Sequence, residues 1–344
     1  MPDTFTAQAL PRLEDRRLLT GAGRYTGDIR PGGLAHAVIL RSPHAHARIA
    51  RLDVAAARRA PGVVGVFTAA ELAADGIPDL PGGVDLPRPD GGKAPKTHRP
   101  ILAKERVRFV GEAVALIVAE TALAAAEATE LIEVEYDALP AVANSATALA
   151  AGAPKLWDEL PDNIAFLWKK GDAASVEAAF AAAAHVTRLE SKVSRVTANS
   201  LEPRGATAVP EADGRLTLYT SHQSPYGLRN GLAGLLNIAP DRLVVVAGDV
   251  GGSFGMKAGV HPEPVLVLFA ARKLKRPVRW IADRTEGFQT DEQARDVAVK
   301  AELALDGDGN FLAVRFRYDI DIGAYLSGRS LAPINNIRHS RCGT

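Results

Sequence analysis

Apolar residues in the first part of the chain fall into short runs with the two-residue period of strands. Leu34 to Leu40 and Ala47 to Leu52 lie either side of a break at Ser42-Pro43, which predicts two strands joined by a turn. Val63 to Phe67 is a third strand, following Pro61-Gly62. Val107 to Val118 reads as one strand around Gly111, and its Val114 to Val118 run is apolar enough to be buried on both faces. Thr121 opens an Ala/Glu-rich helix to about Leu131 or Ile132, and Glu133 to Tyr136 then alternates like a half-buried strand. The stretch from Asp75 to Pro100 is crowded with Pro and Gly and predicts a long exposed loop.

From Ala141 to Ala153 the sequence is Ala-rich and reads as a linker, although Ala alone could also be helical. The pattern then changes. Ser175 to Ala184 predicts a short helix with Ser175 as N-cap, and Val186 to Val196 and Leu216 to Thr220 predict strands. A helix over Gly227 to Leu236 precedes a buried strand at Val244 to Ala247. A glycine loop spans Gly248 to Gly255, followed by a helix from about Glu263 to Leu274 and a strand from Pro277 to Ile281. Val297 to Leu305 and Phe311 to Tyr318 form a hairpin around Asp306-Gly307-Asp308-Gly309. No repeat of fixed period is visible. The sum is an α+β chain divided into residues 18–138, a linker at 139–165, and residues 166–344.

Composition narrows the function classes. The 344 residues suit two domains or one large one, and 47% hydrophobic residues exclude wholesale disorder. Lys+Arg 41 against Asp+Glu 40 leaves a net charge of +1, so general nucleic-acid binding through excess basic charge is not called for. The single cysteine, Cys342, cannot build an intrachain disulfide, a Cys-rich zinc site or a protein-ligated iron–sulfur cluster. Met1 to Arg17 has no apolar signal region, and no apolar run is long enough to span a membrane. The expectation is a soluble cytoplasmic protein.

The sharpest local feature is Gly248-Asp249-Val250-Gly251-Gly252-Ser253-Phe254-Gly255-Met256-Lys257. Glycines let backbone N–H groups approach a ligand, and a strand–loop–helix context suits an anion site. It is neither a Walker A loop nor a dinucleotide fingerprint. Spacing alone leaves open a ligand loop, such as one gripping a phosphate or nucleotide, or a tight structural turn. His44 and His46 form a His-x-His pair that a strand would place on one face, but two ligands do not make a metal site, and ordinary surface or packed histidines are the plainer reading. His261-Pro262-Glu263 lacks the cysteines a zinc deaminase needs. Glu202 and Arg204 read as a surface ion pair, and Asp283, Arg284 and Glu286 as a solvated charged turn. Ser221-His222 lacks a nucleophile elbow, which argues against a hydrolase.

Taken in order, several segments resemble one family. Leu19 to Asp28, Arg41-Ser42-Pro43-His44-Ala45-His46-Ala47-Arg48-Ile49, and Val110-Gly111-Glu112 leading to Val134 to Pro140 resemble the α/β hammerhead domain of its large subunits. Leu201 to Gly205, Ser221 to Pro225, the glycine loop, Arg276 to Trp280 and Gly323-Ala324-Tyr325 resemble the start of its molybdopterin-binding domain. The family is the molybdenum-cofactor-binding large subunit of xanthine dehydrogenase, aldehyde oxidase and carbon monoxide dehydrogenase.

The resemblance implies hydroxylation of an aldehyde, an N-heterocycle or carbon monoxide with water-derived oxygen. It also implies a molybdenum–molybdopterin cofactor, plain or as the cytosine dinucleotide. Electrons would pass to [2Fe-2S] clusters on an iron–sulfur small subunit and FAD on a medium subunit. Gln223 matches the glutamine whose amide donates to an oxo ligand of molybdenum, with no protein atom ligating the metal directly. Gly251, Gly252, Ser253, Phe254 and Gly255 match the loop that lies against metal and pterin. Ser253 stands where the family more often has glycine, a departure tolerable if its side chain points away. Ala258 replaces the Glu of purine-oxidising members, which argues against xanthine as substrate. Family members run several hundred residues further, so the general-base Glu is expected beyond residue 344. The expectation is a truncated frame or one piece of a split subunit, not competent alone, with a non-catalytic scaffold as the rival.

Overall fold

The computed structural model describes residues 11–327 of the chain. Cys342 and the tail from Ile337 to Thr344 lie outside the described residues, as do Met1 to Leu10. A short helix α1 (Asp15–Leu19) precedes strands β1 (Ala35–Arg41) and β2 (Ala47–Asp53). Helix α2 (Ala55–Arg58), strand β3 (Val63–Phe67) and helix α3 (Ala69–Ala74) follow, then β4 (Arg106–Val107), β5 (Ala113–Ala119), α4 (Ala122–Thr129) and β6 (Glu133–Ala138). Next come α5 (Ser145–Ala148), α6 (Ala173–Ala182), β7 (His185–Val193), β8 (Gly205–Pro210), β9 (Leu216–Thr220), α7 (Pro225–Leu235) and β10 (Leu243–Val246). The series ends with α8 (Pro262–Leu274), β11 (Val278–Ile281), α9 (Arg284–Thr290), β12 (Val297–Leu305) and β13 (Phe311–Ile320).

Seven strands form one mixed sheet in the order β10-β9-β8-β11-β1-β5-β3. It draws β1, β3 and β5 from before the Ala-rich stretch and β8 to β11 from after it. The seam is the parallel pair β1 and β11, joined at Ala35↔Val278 and His36↔Arg279. β5 is buried at every position, as its unbroken apolar run predicts. Helix α8 lies against this sheet, and Pro262 to Ala271 are all buried. A helix that is apolar nearly all round can only be an interior helix. Two three-stranded sheets complete the fold, β4-β2-β6 and β13-β12-β7. Among the described residues no helix is long and apolar enough to cross a membrane.

Several expected elements are corrected. The run Val107 to Val118 is broken into β4 and β5 by a turn, in which the buried Glu112 accepts from the Arg108 backbone N–H at 2.6 Å. Gly111 sits in that turn at φ +98°, and a Cβ there would lie 2.7 Å from the Gln289 side chain. The N-cap of α6 is Asp172, whose carboxylate accepts from the Ser175 N–H at 3.2 Å. Strand β8 carried no legible signal, because Pro203 and Gly205 open it and Pro210 ends it. The Pro/Gly stretch from 75 to 100 is not simply exposed: Ile77, Leu80, Arg88 and Thr97 are buried in it. Arg88 there pairs with Asp162 at 3.0 Å.

Of the two acid–base clusters read as surface features, Arg204 is buried and Glu202 and Glu286 are half-buried, while Asp283 and Arg284 are exposed as expected. Arg204 is 4% exposed and donates to Glu263 at 2.5 Å, to Asp291 at 2.6 Å and to the Thr290 hydroxyl at 2.7 Å. Arg41, at the end of β1, reaches the same Glu263 at 3.0 Å and Glu286 at 2.6 Å. Asp283 caps α9, and Arg284 donates to the Ser200 and Leu201 carbonyls at 2.8 and 3.0 Å. Removing one partner from such a buried cluster leaves uncompensated charge. Glu263→Gln is therefore expected to lower unfolding stability by about 3–5 kcal/mol, read from the midpoint shift in urea denaturation.

Candidate functional site

β9 and β10 are parallel neighbours, paired from Leu216↔Leu243 to Tyr219↔Val246, so the segments that follow them leave at one edge of the sheet. Carboxyl ends of parallel strands are where open sheets build ligand sites. After β9 comes Ser221-His222-Gln223-Ser224, ended by α7 with Pro225 at its first position. After β10 comes the glycine loop, ended by a short turn, Met256–Ala258. The two segments predicted separately thus meet.

Lys257 holds them together. Its side chain is 1% exposed, and its Nζ donates to the Glu202 carbonyl at 2.7 Å and to Ser221 Oγ at 3.0 Å. Its carbonyl accepts from the Gln223 backbone N–H at 2.9 Å. Burial draws the ammonium below the usual lysine value, and the Glu202 carboxylate, 3.4 Å away, opposes this. Glu202 also accepts from the Gly251 N–H at 2.8 Å, while its own N–H donates to the Gly251 carbonyl at 3.1 Å. Gly251 has to be glycine, since a Cβ would sit 2.4 Å from that of Glu202.

The other end of the loop is held by the segment before β1. Asp249 takes both terminal nitrogens of Arg17 at 2.6 Å and the Arg24 N–H at 2.6 Å. Those Arg17 hydrogen bonds bring its carboxyl down to about 2. Gly252, Phe254 and Gly255 all adopt positive φ, at +98°, +54° and +93°. Phe254 is 80% exposed although apolar, and Gln223 is exposed beside it. Among the described residues, the backbone N–H groups of Gly252, Ser253 and Phe254 have no acceptor. Ser253 does not point away: it is buried, and its hydroxyl donates to Gln223 Oε1 at 2.6 Å.

Beneath the loop lies a small cavity with Arg204, Ser221, His222, Lys257, His261 and Trp280 among its walls. Burial pushes His261 down to about 3, helped by the Arg204 charge. Its Nε2 faces the Met256 carbonyl at 3.0 Å, and its Nδ1 has no partner among the described residues.

Sequence comparison now bears on this edge. The pattern of the molybdopterin cofactor-binding domain matches residues 156–342, and that of the aldehyde oxidase and xanthine dehydrogenase a/b hammerhead domain matches residues 20–140. The chain belongs to the molybdopterin-binding large-subunit family. The nicotine 6-hydroxylase large subunit of Paenarthrobacter nicotinovorans is 37% identical over 317 residues, which is 92% of this chain and 38% of that relative. The carbon monoxide dehydrogenase large chain of Hydrogenophaga pseudoflava is 34% identical, over 91% of this chain and 39% of that one. Quinoline 2-oxidoreductase from Pseudomonas putida 86 has the same fold at a TM-score of 0.79 and 39% identity, covering 90% of this chain and 39% of that structure. The chain thus spans about two fifths of the length of these relatives.

The remaining candidate residues make contacts within the fold. His46 is buried with Nδ1 2.9 Å from the Pro140 carbonyl, and the His44 ring lies 4.8 Å from that of Tyr136. No cluster of three metal-ligating side chains exists among the described residues. Ser221 and His222 form no nucleophilic pair, because His222 Nδ1 accepts from the Ser224 N–H at 3.0 Å. Glu202 and Lys257 are the site residues that sequence reasoning undervalued. Their signal was a Lys two residues past the last glycine of the loop, with an acid 55 positions earlier.

Two outcomes follow from this geometry. Gly251→Ala is expected to cost about 1–3 kcal/mol by overpacking against Glu202, seen as a lowered Tm and new protease cleavage within residues 248–255. His261 titrates near 6.5 when unfolded but near 3 when folded, so its contribution is complete above pH 6.5 and lost as pH falls toward 3. Between pH 7 and 5, the wild type should lose about 2 kcal/mol more than His261→Gln. Equal losses in parallel denaturation series would contradict the assignment.

Proposed function

We propose that this chain forms the N-terminal part of a molybdenum hydroxylase large subunit. It oxidises an aldehyde, an N-heterocycle or carbon monoxide with oxygen taken from water. The observation that carries this reading is the junction of Gln223 with the glycine loop at one sheet edge. There an exposed amide and an exposed Phe254 ring lie on two segments joined by hydrogen bonds, together with three successive backbone N–H groups that have no acceptor among the described residues. These donors fit a group rich in oxygen and sulfur acceptors, and the Phe254 ring fits the flat face of a pterin. In this reading Gly251, Gly252, Ser253, Phe254 and Gly255 would line the cofactor, and the Gln223 amide would donate a hydrogen bond to it without ligating molybdenum.

The cofactor, when bound, supplies two-electron oxidation with water as oxygen source. This chain's own residues bind and orient. Glu202 and Lys257 hold the loop in shape, Arg17 anchors its start through Asp249, and Gln223 offers a single directed donor. Residue 258 is alanine, so no carboxylate stands there to grip a purine, and a substrate lacking several hydrogen-bonding edges is favoured. The general base is a glutamate supplied by a further part of the subunit. Relatives named as large subunits or large chains support partner subunits, which we assign as an iron–sulfur small subunit and a FAD medium subunit. The pterin carries or lacks a cytosine nucleotide, and the complex works in the cytoplasm.

One further observation favours a unit that needs another polypeptide segment to act. In the β7-β12-β13 sheet, the face shared by Leu189, Val193, Val314 and Phe316 is apolar, and these residues are 63%, 45%, 40% and 46% exposed. The opposite face carries the ion pairs Arg188–Glu302 and Lys300–Glu190 and receives α6. An apolar face of that extent is normally covered by another segment. The remaining length found in the relatives supplies such a segment, in the same chain or a separate one.

The test is molybdenum per chain, measured by elemental mass spectrometry on protein from a host that makes the cofactor. The chain is purified alone and after coexpression with the C-terminal three fifths of a relative. Near one equivalent with the complement, and less without it, is the expected result. Near zero in both, for soluble folded protein, would overturn the assignment.

A further inference from the structure

We propose that the Ser253 hydroxyl is a positioning group that fixes the orientation of the Gln223 side-chain amide. The amide nitrogen, Nε2, is thereby turned to the open side of the glycine loop. The inference deepens the proposed function, since it rests on Gln223 being the donor at that site. Its physical basis is a count of donors and acceptors. The Ser253 Oγ already accepts the Lys257 backbone N–H at 3.0 Å, so its own proton is left to be given away. Gln223 Oε1, at 2.6 Å, is the acceptor. Flipping the amide would bring Nε2 against an oxygen whose proton then has no acceptor, inside a site where Ser253 is only 7% exposed. Leaving a buried hydroxyl proton unpaired disfavours the flipped amide by about 5–150-fold.

The arrangement is closed on itself. The Gln223 N–H donates to the Lys257 carbonyl at 2.9 Å, the Lys257 N–H donates to Ser253, and Ser253 donates to the Gln223 side chain. Lys257 is in turn pinned through Nζ to the Glu202 carbonyl at 2.7 Å. Among the described residues Nε2 has no acceptor, so the circuit spends the amide oxygen inside the protein and leaves the donor for whatever occupies the opening. A glutamine side chain on an exposed segment would otherwise rotate freely, with oxygen and nitrogen presented alternately.

The experiment uses the full chain labelled with 15N-glutamine, which contains Gln8, Gln223, Gln289 and Gln293. The side-chain amide signal of Gln223 is assigned by its loss in Gln223→Glu. In the wild type this amide should show an order parameter near that of rigid backbone, about 0.8, and in Ser253→Ala it should fall below about 0.6. Ser253→Thr, which keeps the hydroxyl, should restore it. Should the alanine chain unfold, Ser253→Cys is the second variant: nearly the same size and a far weaker donor, it must loosen the amide likewise. Unchanged Gln223 order in Ser253→Ala, or in the cysteine variant where that is the folded one, would overturn the proposal. These readings need no molybdenum, so failure to capture the cofactor and failure of the positioning role are told apart. In a loaded enzyme, Ser253→Ala is expected to lower kcat about 3–10-fold with KM unchanged.

Discussion

Glu263 is a carboxylate with no exposure at all, placed in the first turn of an interior helix. Burial alone would drive it toward the neutral acid, yet Arg204 and Arg41 hold it well below the usual carboxylate range. The N-terminal end of α8 adds a favourable field for negative charge. Arg41 comes from the end of β1 and Arg204 from the residue before β8, so one carboxylate ties together two strands separated by β11 in the sheet order. The same arginines reach Glu286 at the start of α9 and Asp291 just after it. Charges this deep tolerate no misplacement, because each depends on all the others for its neutralisation. The relative positions of α8, α9 and the large sheet are set there.

The candidate site repeats this logic one layer outward and at smaller scale. Lys257 is a buried cation whose hydrogen-bond partners are a carbonyl, a hydroxyl and one carboxylate. Weak neutralisation leaves its charge dependent on the shape of the glycine loop and on Glu202 folding across it. The loop in turn adopts a backbone that few side chains allow, with three of its residues at positive φ. Strain of that kind persists only where surrounding contacts over-determine it. Glu202, Lys257 and the Arg17–Asp249 pair are those contacts.

What the molecule leaves uncovered is as specific as what it buries. The ion-paired face of β7-β12-β13 takes a helix, while its apolar face stays open, an inversion of the usual arrangement. Phe254 stands out beside Gln223 in the same way. Both exposures cost solvation free energy in an isolated chain and become favourable once covered. The loop edge and the open sheet thus share one physical condition: each leaves apolar surface whose burial would be favourable.

Local periodicity was enough for the strands and helices whose signal is carried by their own side chains. β5 is legible because seven consecutive apolar residues need burial on both faces, and α8 because its apolar residues leave no polar side to expose. The β12–β13 hairpin is legible because Asp306 to Gly309 demands a turn. The family resemblance was legible too, because motifs with a fixed order survive where each alone is ambiguous. Hidden from the sequence were the contacts between residues distant along the chain. Glu202 and Lys257 are separated by 55 positions, and Arg41 and Glu263 by 222. Nothing local distinguishes such charges from solvated ones, since only burial makes a partner necessary. The serine in the glycine loop shows the same limit in miniature. Its type was plain, but whether its hydroxyl faced solvent or Gln223 depended on how β9 and β10 bring their two loops together.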